Sequence, residues 1–504
     1  MITTELDFLK SHDCLEQLIE RVRQSGKDGR RIDEVERELF AGLMQMGFHL
    51  LMAFVRQAGD GDVGETVSVS ADVKTSAPVV EGESVRETRT WRRLEQLHTR
   101  SYHSIFGGLT IPRHVYGTRE DQKIEVVPLD ARLGLPLGKF SYVLEDWQQR
   151  MCLKESFLEA TGNLSDLLGV APSVRAAEVM NRKMAEFAPG FRQEQPTPPA
   201  DEEGELVVFT ADGKGIPMRR PGAAKQPRSK RRAKGEKANK KQMSYVGAVY
   251  TIDRFVRTPD DVLEELSRTE AKTHRPKPRH KHVAAEMTRV IEGEECNGRV
   301  SLFGVLSDEA LARNHDQNKP VVAVMDGERA LWEVLKFFLP KAIGILDIFH
   351  VSERLWQVAH IFHPENSPSA GAFVTHRLRL LLEGQVGRVI GGLLQIRSKH
   401  RLTAAKLAVL NATIGYFENN RDHMRYNDYL ASGYPIGSGV AEGACRHLVK
   451  DRMEQTGMRW TVEGAQALLN LRAMYLNGDW KTFIDYRIQR EQAEIYPYKP
   501  SLAA

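Results

Sequence analysis

Three short apolar runs each lead into an aspartate, and this repetition constrains the fold more than any other feature of the chain. Leu206-Val207-Val208-Phe209 leads to Asp212, Pro320 to Met325 stops on Asp326, and Ala342 to Leu346 stops on Asp347. Unbroken apolar runs of this length predict strands buried on both faces. Between the last two, Glu328 to Leu339 has the length of a helix that crosses between parallel strands. A further strand is predicted within Ser244 to Asp253, and helices over Asp260 to Lys272 and His282 to Ile291. The economical fold is an α/β sheet with helical crossovers. In open sheets of that kind the ligand crevice lies outside the carboxyl ends of the strands, so Asp212 and Asp326 can converge although they are far apart in sequence.

Paired acids in such a crevice suit hard divalent cations, which take oxygen ligands. Two aspartates need a third acid from a rigid element, and Glu442 fits. It follows a Gly-rich entry, Tyr434-Pro435-Ile436-Gly437-Ser438-Gly439, and opens a helix. Asp347 and His350 form a D-x-x-H pair with an expected supporting role. Each acid taken singly also fits a plainer part, as a turn former, a helix cap or a complement to a helix dipole. His274, His280 and His282 lie among Arg and Lys, a setting that disfavours metal and favours solvated contact with nucleic acid.

The chain is 504 residues long with a net charge of only +4, but Arg219 to Lys241 holds eleven Lys and Arg against the single acid Glu236. That segment therefore carries +10 and the remainder −6. A polycation between the first two strands of an acid-bearing sheet suits a polyanionic substrate, although a solubilising loop has the same composition. Lys214, Arg219, Arg220, Lys230, Arg231 and Arg232 are the DNA-contact candidates here. Arg446, His447, Lys450 and Arg452 follow Glu442 on one expected helix, and Arg459 beside Trp460 pairs a phosphate contact with a stacking or core ring.

In the N-terminal half, Thr4 to Arg23 and Arg31 to Gln57 show helical periodicity, and Gly59 to Ser84 loses it and reads as a linker. Strand-like runs, Ile105 to Ile111, Arg113 to Tyr116 and Lys123 to Val127, predict a small antiparallel sheet. Ser156 to Leu168 and Ser173 to Phe187 flank the turn Gly169-Val170-Ala171-Pro172, the grammar of a helix-turn-helix, or equally of any two antiparallel helices. Arg175, Asn181, Arg182 and Lys183 would face a groove. Beyond Asp347 the text is almost wholly helical.

The four cysteines, Cys14, Cys152, Cys296 and Cys445, form no CxxC pair, so neither a disulfide framework nor a zinc knuckle is expected. The greasiest stretch, Phe48 to Val55, is interrupted by His49, and no membrane span is expected. The acidic Met1 to Lys10 lacks the pattern of a secretory signal, which predicts a cytoplasmic protein, nucleoid-associated where the basic segments contact DNA.

Several longer motifs resemble the DDE transposases of ISKra-type bacterial insertion sequences: Phe209-Thr210-Ala211-Asp212-Gly213-Lys214-Gly215-Ile216-Pro217-Met218, Val324-Met325-Asp326-Gly327-Glu328, Leu346-Asp347-Ile348-Phe349-His350-Val351 and Gly437-Ser438-Gly439-Val440-Ala441-Glu442-Gly443. Gly457-Met458-Arg459-Trp460-Thr461 to Leu471-Arg472-Ala473, Phe106-Gly107 and Pro128-Leu129-Asp130 extend the resemblance over most of the chain. It implies an RNase H-like α/β core interrupted by an all-helical insertion and preceded by a mainly helical DNA-binding region with a small antiparallel sheet. The implied divisions are residues 1–58 (helices), 59–90 (linker), 91–192 (sheet and helix-turn-helix-like DNA-end-binding region), 205–351 (core), 352–434 (insertion) and 435–495 (final core helices). It further implies Asp212, Asp326 and Glu442 as catalytic metal ligands, Asp347 and His350 as auxiliaries, and Mg²⁺, for which Mn²⁺ substitutes. The implied partners are DNA ends and target DNA, bound by a homodimer or higher oligomer. Relatives often carry a zinc ribbon before the Pro-Leu-Asp motif; Tyr116 to Gln122 has no cysteine, so no zinc is expected. The expected activity is cleavage at element ends and transfer of the 3′-hydroxyl into target DNA. An RNase H-like nuclease or resolvase and a non-catalytic transposase-derived regulator are the alternatives.

Overall fold

The computed structural model describes residues 3–72, 86–119, 123–219, 241–267, 275–455 and 457–498. The chain divides into two compact units, Met1–Lys183 with Lys481–Ala504, and Met184–Trp480.

The first unit begins with a helical hairpin, α1 (Thr3–Lys27) and α2 (Ile32–Gln57). The turn uses Gly29 at φ +62°, and Gly42 lets the helices approach: a Cβ there would lie 2.2 Å from Leu18 Cδ2. Strands β1 (Thr66–Asp72), β2 (Arg86–Arg93), β3 (His98–Ser104), β4 (Gly107–Arg113), β5 (Tyr116–Gly117) and β6 (Ile124–Val126) follow. They form a sheet of order β1-β2-β5-β6 and a separate β3-β4 hairpin. Helices α3 (Pro128–Leu133), α4 (Tyr142–Cys152), α5 (Phe157–Leu168) and α6 (Val174–Ala185) come next.

Two expectations are corrected here. The segment read as a linker contains β1, where buried Val67 and Val69 alternate with serines and pair with β2; the Gly, Ser and Thr content hid a period of two. Asn181 does not face a groove. It is buried and donates to Gln149 Oε1 at 2.9 Å, whereas Arg175, Arg182 and Lys183 are exposed. Asp130 has a structural explanation: its buried carboxylate accepts Arg100 Nη1 at 2.6 Å and also binds Arg113, tying α3 to both strands of the β3-β4 hairpin. The carboxylate of Glu145, on α4, accepts Arg487 Nη2 at 2.5 Å.

The second unit opens with α7 (Ala188–Glu194), then β7 (Leu206–Pro217), β8 (Lys241–Ile252), α8 (Pro259–Leu266), β9 (Arg279–Met287), β10 (Arg289–Ile291), β11 (Glu294–Cys296), α9 (Gly298–Ala312), β12 (Val321–Met325), α10 (Arg329–Phe338) and β13 (Ile343–Leu346). Five of these strands make one sheet of order β13-β12-β7-β8-β9. β12 runs parallel to β7 and β13, while β8 is antiparallel to β7 and β9. The remainder is helical: α11 (Ile348–Phe362), α12 (Pro368–Leu382), α13 (Val386–Lys399), α14 (Ala404–Asn419), α15 (Tyr426–Ala431), α16 (Gly439–Ala444), a π-helical turn over Cys445–Lys450, α17 (Asp451–Met453), α18 (Val462–Asn477) and α19 (Trp480–Ile495). Most of α19 belongs to the first unit rather than to the sheet-bearing one.

Strand periodicity splits the core in two. Val207, Phe209, Ala323 and Met325 pack with α9 and α10 on one face, and Leu206, Val208, Val322 and Val324 pack with α11 to α15 on the other. His282 to Ile291, expected as a helix, contains most of β9 and all of β10; an apolar run such as Val283 to Met287, buried throughout, has no period that separates helix from strand. Asp212 does not end its strand either. β7 continues to Pro217 and Asp212 sits opposite Val246 in mid-ladder. α2 is long and apolar enough, by length and composition, to cross a membrane, contrary to the expectation from the shorter Phe48 to Val55 run.

Candidate metal centre

Asp347 is the fixed point of the site. It caps α11, with Oδ1 accepting the Phe349 N–H at 3.0 Å, and it is wholly buried. Oδ1 also accepts the Ser438 N–H at 3.3 Å, and Oδ2 binds the Ser438 hydroxyl. The last partner of Oδ2 is His350 Nδ1, 3.0 Å away. One carboxylate thus joins the end of β13 to the glycine-rich entry of α16 and orients an imidazole one helical turn on. That hydrogen bond outweighs burial and pushes His350 up to about 9, helped by the charges of Asp347, Asp326 and Glu353.

Glu442 lies in the first turn of α16 and is exposed. Donor atoms of Asp347, His350 and Glu442 lie within 4.8 Å of one another. Burial pushes the Glu442 carboxyl up, as do the charges of Asp347, Glu353 and Asp212, while His350 opposes them. Asp326 directly follows β12 and accepts the Glu328 N–H at 2.9 Å. Burial also raises Asp326; the Glu328 N–H and His350 lower it, and the Asp212 and Asp347 charges raise it. Asp212, on β7, accepts the thiol of Cys445 at 3.4 Å on Oδ2. Burial and the Asp212 charge push that thiol up.

The structure therefore brings Asp212, Asp326 and Glu442 into one electrostatic field with Asp347 and His350. The Asp212 and Asp347 charges raise both Asp326 and Glu442, and a divalent cation bound beside them would act in the opposite sense. The tightest cluster includes Asp347, but both its oxygens are committed to protein donors. Asp212 is similarly engaged, its Oδ1 accepting the Gly213 N–H at 2.6 Å and its Oδ2 the Cys445 thiol, and the donor atoms that the structure groups for a cation are those of Asp347, His350 and Glu442.

Three neighbours escaped the sequence reading. Glu328 is raised by burial and by Asp326 and Asp212, against Arg299, whose Nη2 lies 3.4 Å from Glu328 Oε1. Cys445 lies one turn beyond Glu442, a spacing that could have marked it. Tyr416 of α14 packs against the glycine after Asp326, where a Cβ on Gly327 would lie 2.4 Å from its ring.

The basic candidates divide. Arg446, Lys450, Arg459 and Arg219 are exposed. Arg446 Nε lies 3.7 Å from Asp451. Lys214 Nζ is 4.0 Å from Glu454, which also binds Lys241 at 2.5 Å. The π-helical turn after α16 breaks the expected i+4 series from Glu442 to these cations. Arg452 is withdrawn as a DNA contact: its side chain is fully buried, with the guanidinium 5.2 Å from the ring of buried Trp460. His282 is also corrected, being largely buried and 2.8 Å from Glu309, and His280 lies 3.3 Å from Glu202. Arg220, Lys230, Arg231, Arg232 and His274 lie outside the described residues. No family model matches the chain, and no curated protein matches it significantly.

Proposed function

We propose that the chain is a DDE transposase, cutting DNA at element ends and joining the freed 3′-hydroxyl to target DNA. One observation carries the reading: the charge of Asp212, on a central strand, acts on both Asp326, at the end of the parallel neighbour, and Glu442, on a helix beyond the α11 to α15 segment. The sheet order supports an RNase H-like core, in which three antiparallel strands are followed by two parallel ones beyond the first. α11 to α15 stand where an all-helical insertion interrupts that core.

Asp212, Asp326 and Glu442 would hold Mg²⁺ or Mn²⁺, which would lower the pKa of an attacking water or 3′-hydroxyl and neutralise the scissile phosphate. Asp347 and Ser438 fix the α16 entry so that Glu442 meets the aspartates without reorganisation. His350, held protonated by Asp347, supplies positive charge beside the acids. Arg446, Lys450, Arg459 and Arg219, all exposed, would meet flanking phosphates.

The test is strand cleavage on duplexes carrying the flanking repeats of the gene, with Mg²⁺ or Mn²⁺, comparing wild type with Asp326→Asn. Metal-dependent nicking at the repeat boundary is expected, reduced in the variant by more than the roughly hundredfold ceiling for an outer-shell residue, with DNA affinity retained. End binding without cleavage in either metal would point instead to a non-catalytic regulator, and cleavage without joining to a nuclease or resolvase.

A further inference from the structure

The α1-α2 hairpin carries a row of apolar side chains that stay about half exposed. On α2, Phe40, Leu43, Leu50 and Phe54 are 46%, 51%, 42% and 58% exposed. With Gly47 between them they repeat at intervals of three and four residues, the spacing of a coiled-coil seam; the ring of Phe106 packs on the stripe at Gly47, where a Cβ would lie 2.5 Å from it, and leaves the four side chains on either side exposed. Leu15, Ile19 and Val22 repeat the pattern on α1 and are similarly exposed. At about 100° per residue, each set falls within an arc of roughly 80°. Neither arc includes the Leu18–Gly42 contact that holds the helices together. Because the two helices run in opposite directions, their angular senses are opposite, and both arcs fall on the same side of the hairpin.

We propose that this face is the contact surface for a second copy of the chain, two hairpins closing into a four-helix bundle. The seven residues expose on the order of 600 Å² per copy, which flanking side chains bring near the roughly 800 Å² per partner of a stable interface. A twofold contact needs a self-complementary patch, and a one-sided apolar stripe of this kind is one. Its flank on α1 carries both signs, with Glu16 and Glu20 beside Arg23, so self-pairing meets no single-sign repulsion. Length and composition would also admit α2 to a membrane. Interfacial helices, however, carry Lys and Arg on their polar face, and the first two turns of α2 hold Asp33, Glu34, Glu36 and Glu38 against Arg37. This surface belongs to the first unit and the acidic site to the second, and the proposal does not rest on the transposase reading.

Sedimentation velocity of the full chain at micromolar concentration tests it. The wild type is expected to be a dimer. The double variant Leu43→Glu, Leu50→Glu should weaken self-association at least about a hundredfold, with unchanged far-ultraviolet circular dichroism. Leu9→Glu, equally exposed but on the far side of α1, should leave it intact. If the double variant loses helicity, Leu50→Cys replaces it: a bismaleimide should cross-link that variant into dimers beyond the wild-type background, and Leu9→Cys should not be cross-linked. A monomeric wild type, a dimer indifferent to Leu43 and Leu50, or a monomer that floats with vesicles of phosphatidylcholine and phosphatidylglycerol would each overturn the proposal.

Discussion

Asp347 makes four hydrogen bonds with three residues and has no solvent exposure, whereas Glu442 is exposed and, among the described residues, its carboxylate makes no hydrogen bond. The first therefore shapes the site and the second is free to bind a ligand. Replacing Asp347 by Asn keeps the shape but removes the charge that orients His350 and turns one acceptor into a donor facing Ser438. Mn²⁺ affinity, read by titration calorimetry, should fall about 10- to 100-fold in Asp347→Asn; an unchanged affinity would place the metal elsewhere. At this scale the settings of Asp326, Asp347 and Glu442 were legible, because each sits in a short motif at a strand end or after a Gly-rich turn. Glu328, Cys445 and Ser438 were not, because each acquires its role from a partner brought near by the fold. Arg452 shows the converse: a cation in a basic-looking helix is spent inside the core against Trp460.

Among the elements, the parallel pair β7-β12 and the β12-α10-β13 crossover were legible from run length and the intervening helical text. β9 was not, since its buried residues satisfy a strand and a buried helix equally, and β1 was concealed by serine-rich composition. The π-helical turn has no periodic signature at all. One element contact bears directly on the site. α14 of the helical insertion lays Tyr416 against Gly327, so the position after Asp326 admits no side chain. Gly327→Ala should cost about 1–3 kcal/mol, the usual penalty of overpacking, read by urea denaturation. In a Tyr416→Ala background the ring is gone but the Asn420 amide, 2.6 Å from the added Cβ, remains, so the same substitution should cost less without becoming free, and the coupling from the double-mutant cycle measures the ring's share. Equal costs in both backgrounds would show that the ring is not what excludes the methyl group.

Across the sheet-bearing unit the energetics turn on where charge is buried without water. Besides the acidic site, the deepest ion pair is Glu203 with Arg313, which links the residue ahead of β7 to the end of α9. Its bonds run Nε to Oε1 at 2.7 Å and Nη2 to Oε2 at 2.8 Å, between side chains with almost no exposure. Burial alone would raise the Glu203 carboxyl, but its hydrogen bonds from Arg313 and Thr251 outweigh that and hold it below the ordinary value of 4.5. A carboxylate whose folded pKa is depressed contributes stability that is fully present above the unfolded pKa and is lost as pH falls through the folded one. The loss therefore begins near pH 4.5 and continues below it. Removing Glu203 leaves the buried Arg313 with Glu309, 3.2 Å away, as its remaining carboxylate partner, so the cost at neutral pH should lie toward the lower end of the about 3–5 kcal/mol for breaking a buried pair. Glu203→Gln should show that loss in urea denaturation at pH 7. Its stability should then fall less steeply than that of the wild type between about pH 5 and 3, so the two curves converge on acidification. Parallel curves would mean that Glu203 titrates alike folded and unfolded, and the ion pair would then contribute nothing to the acid stability of this unit.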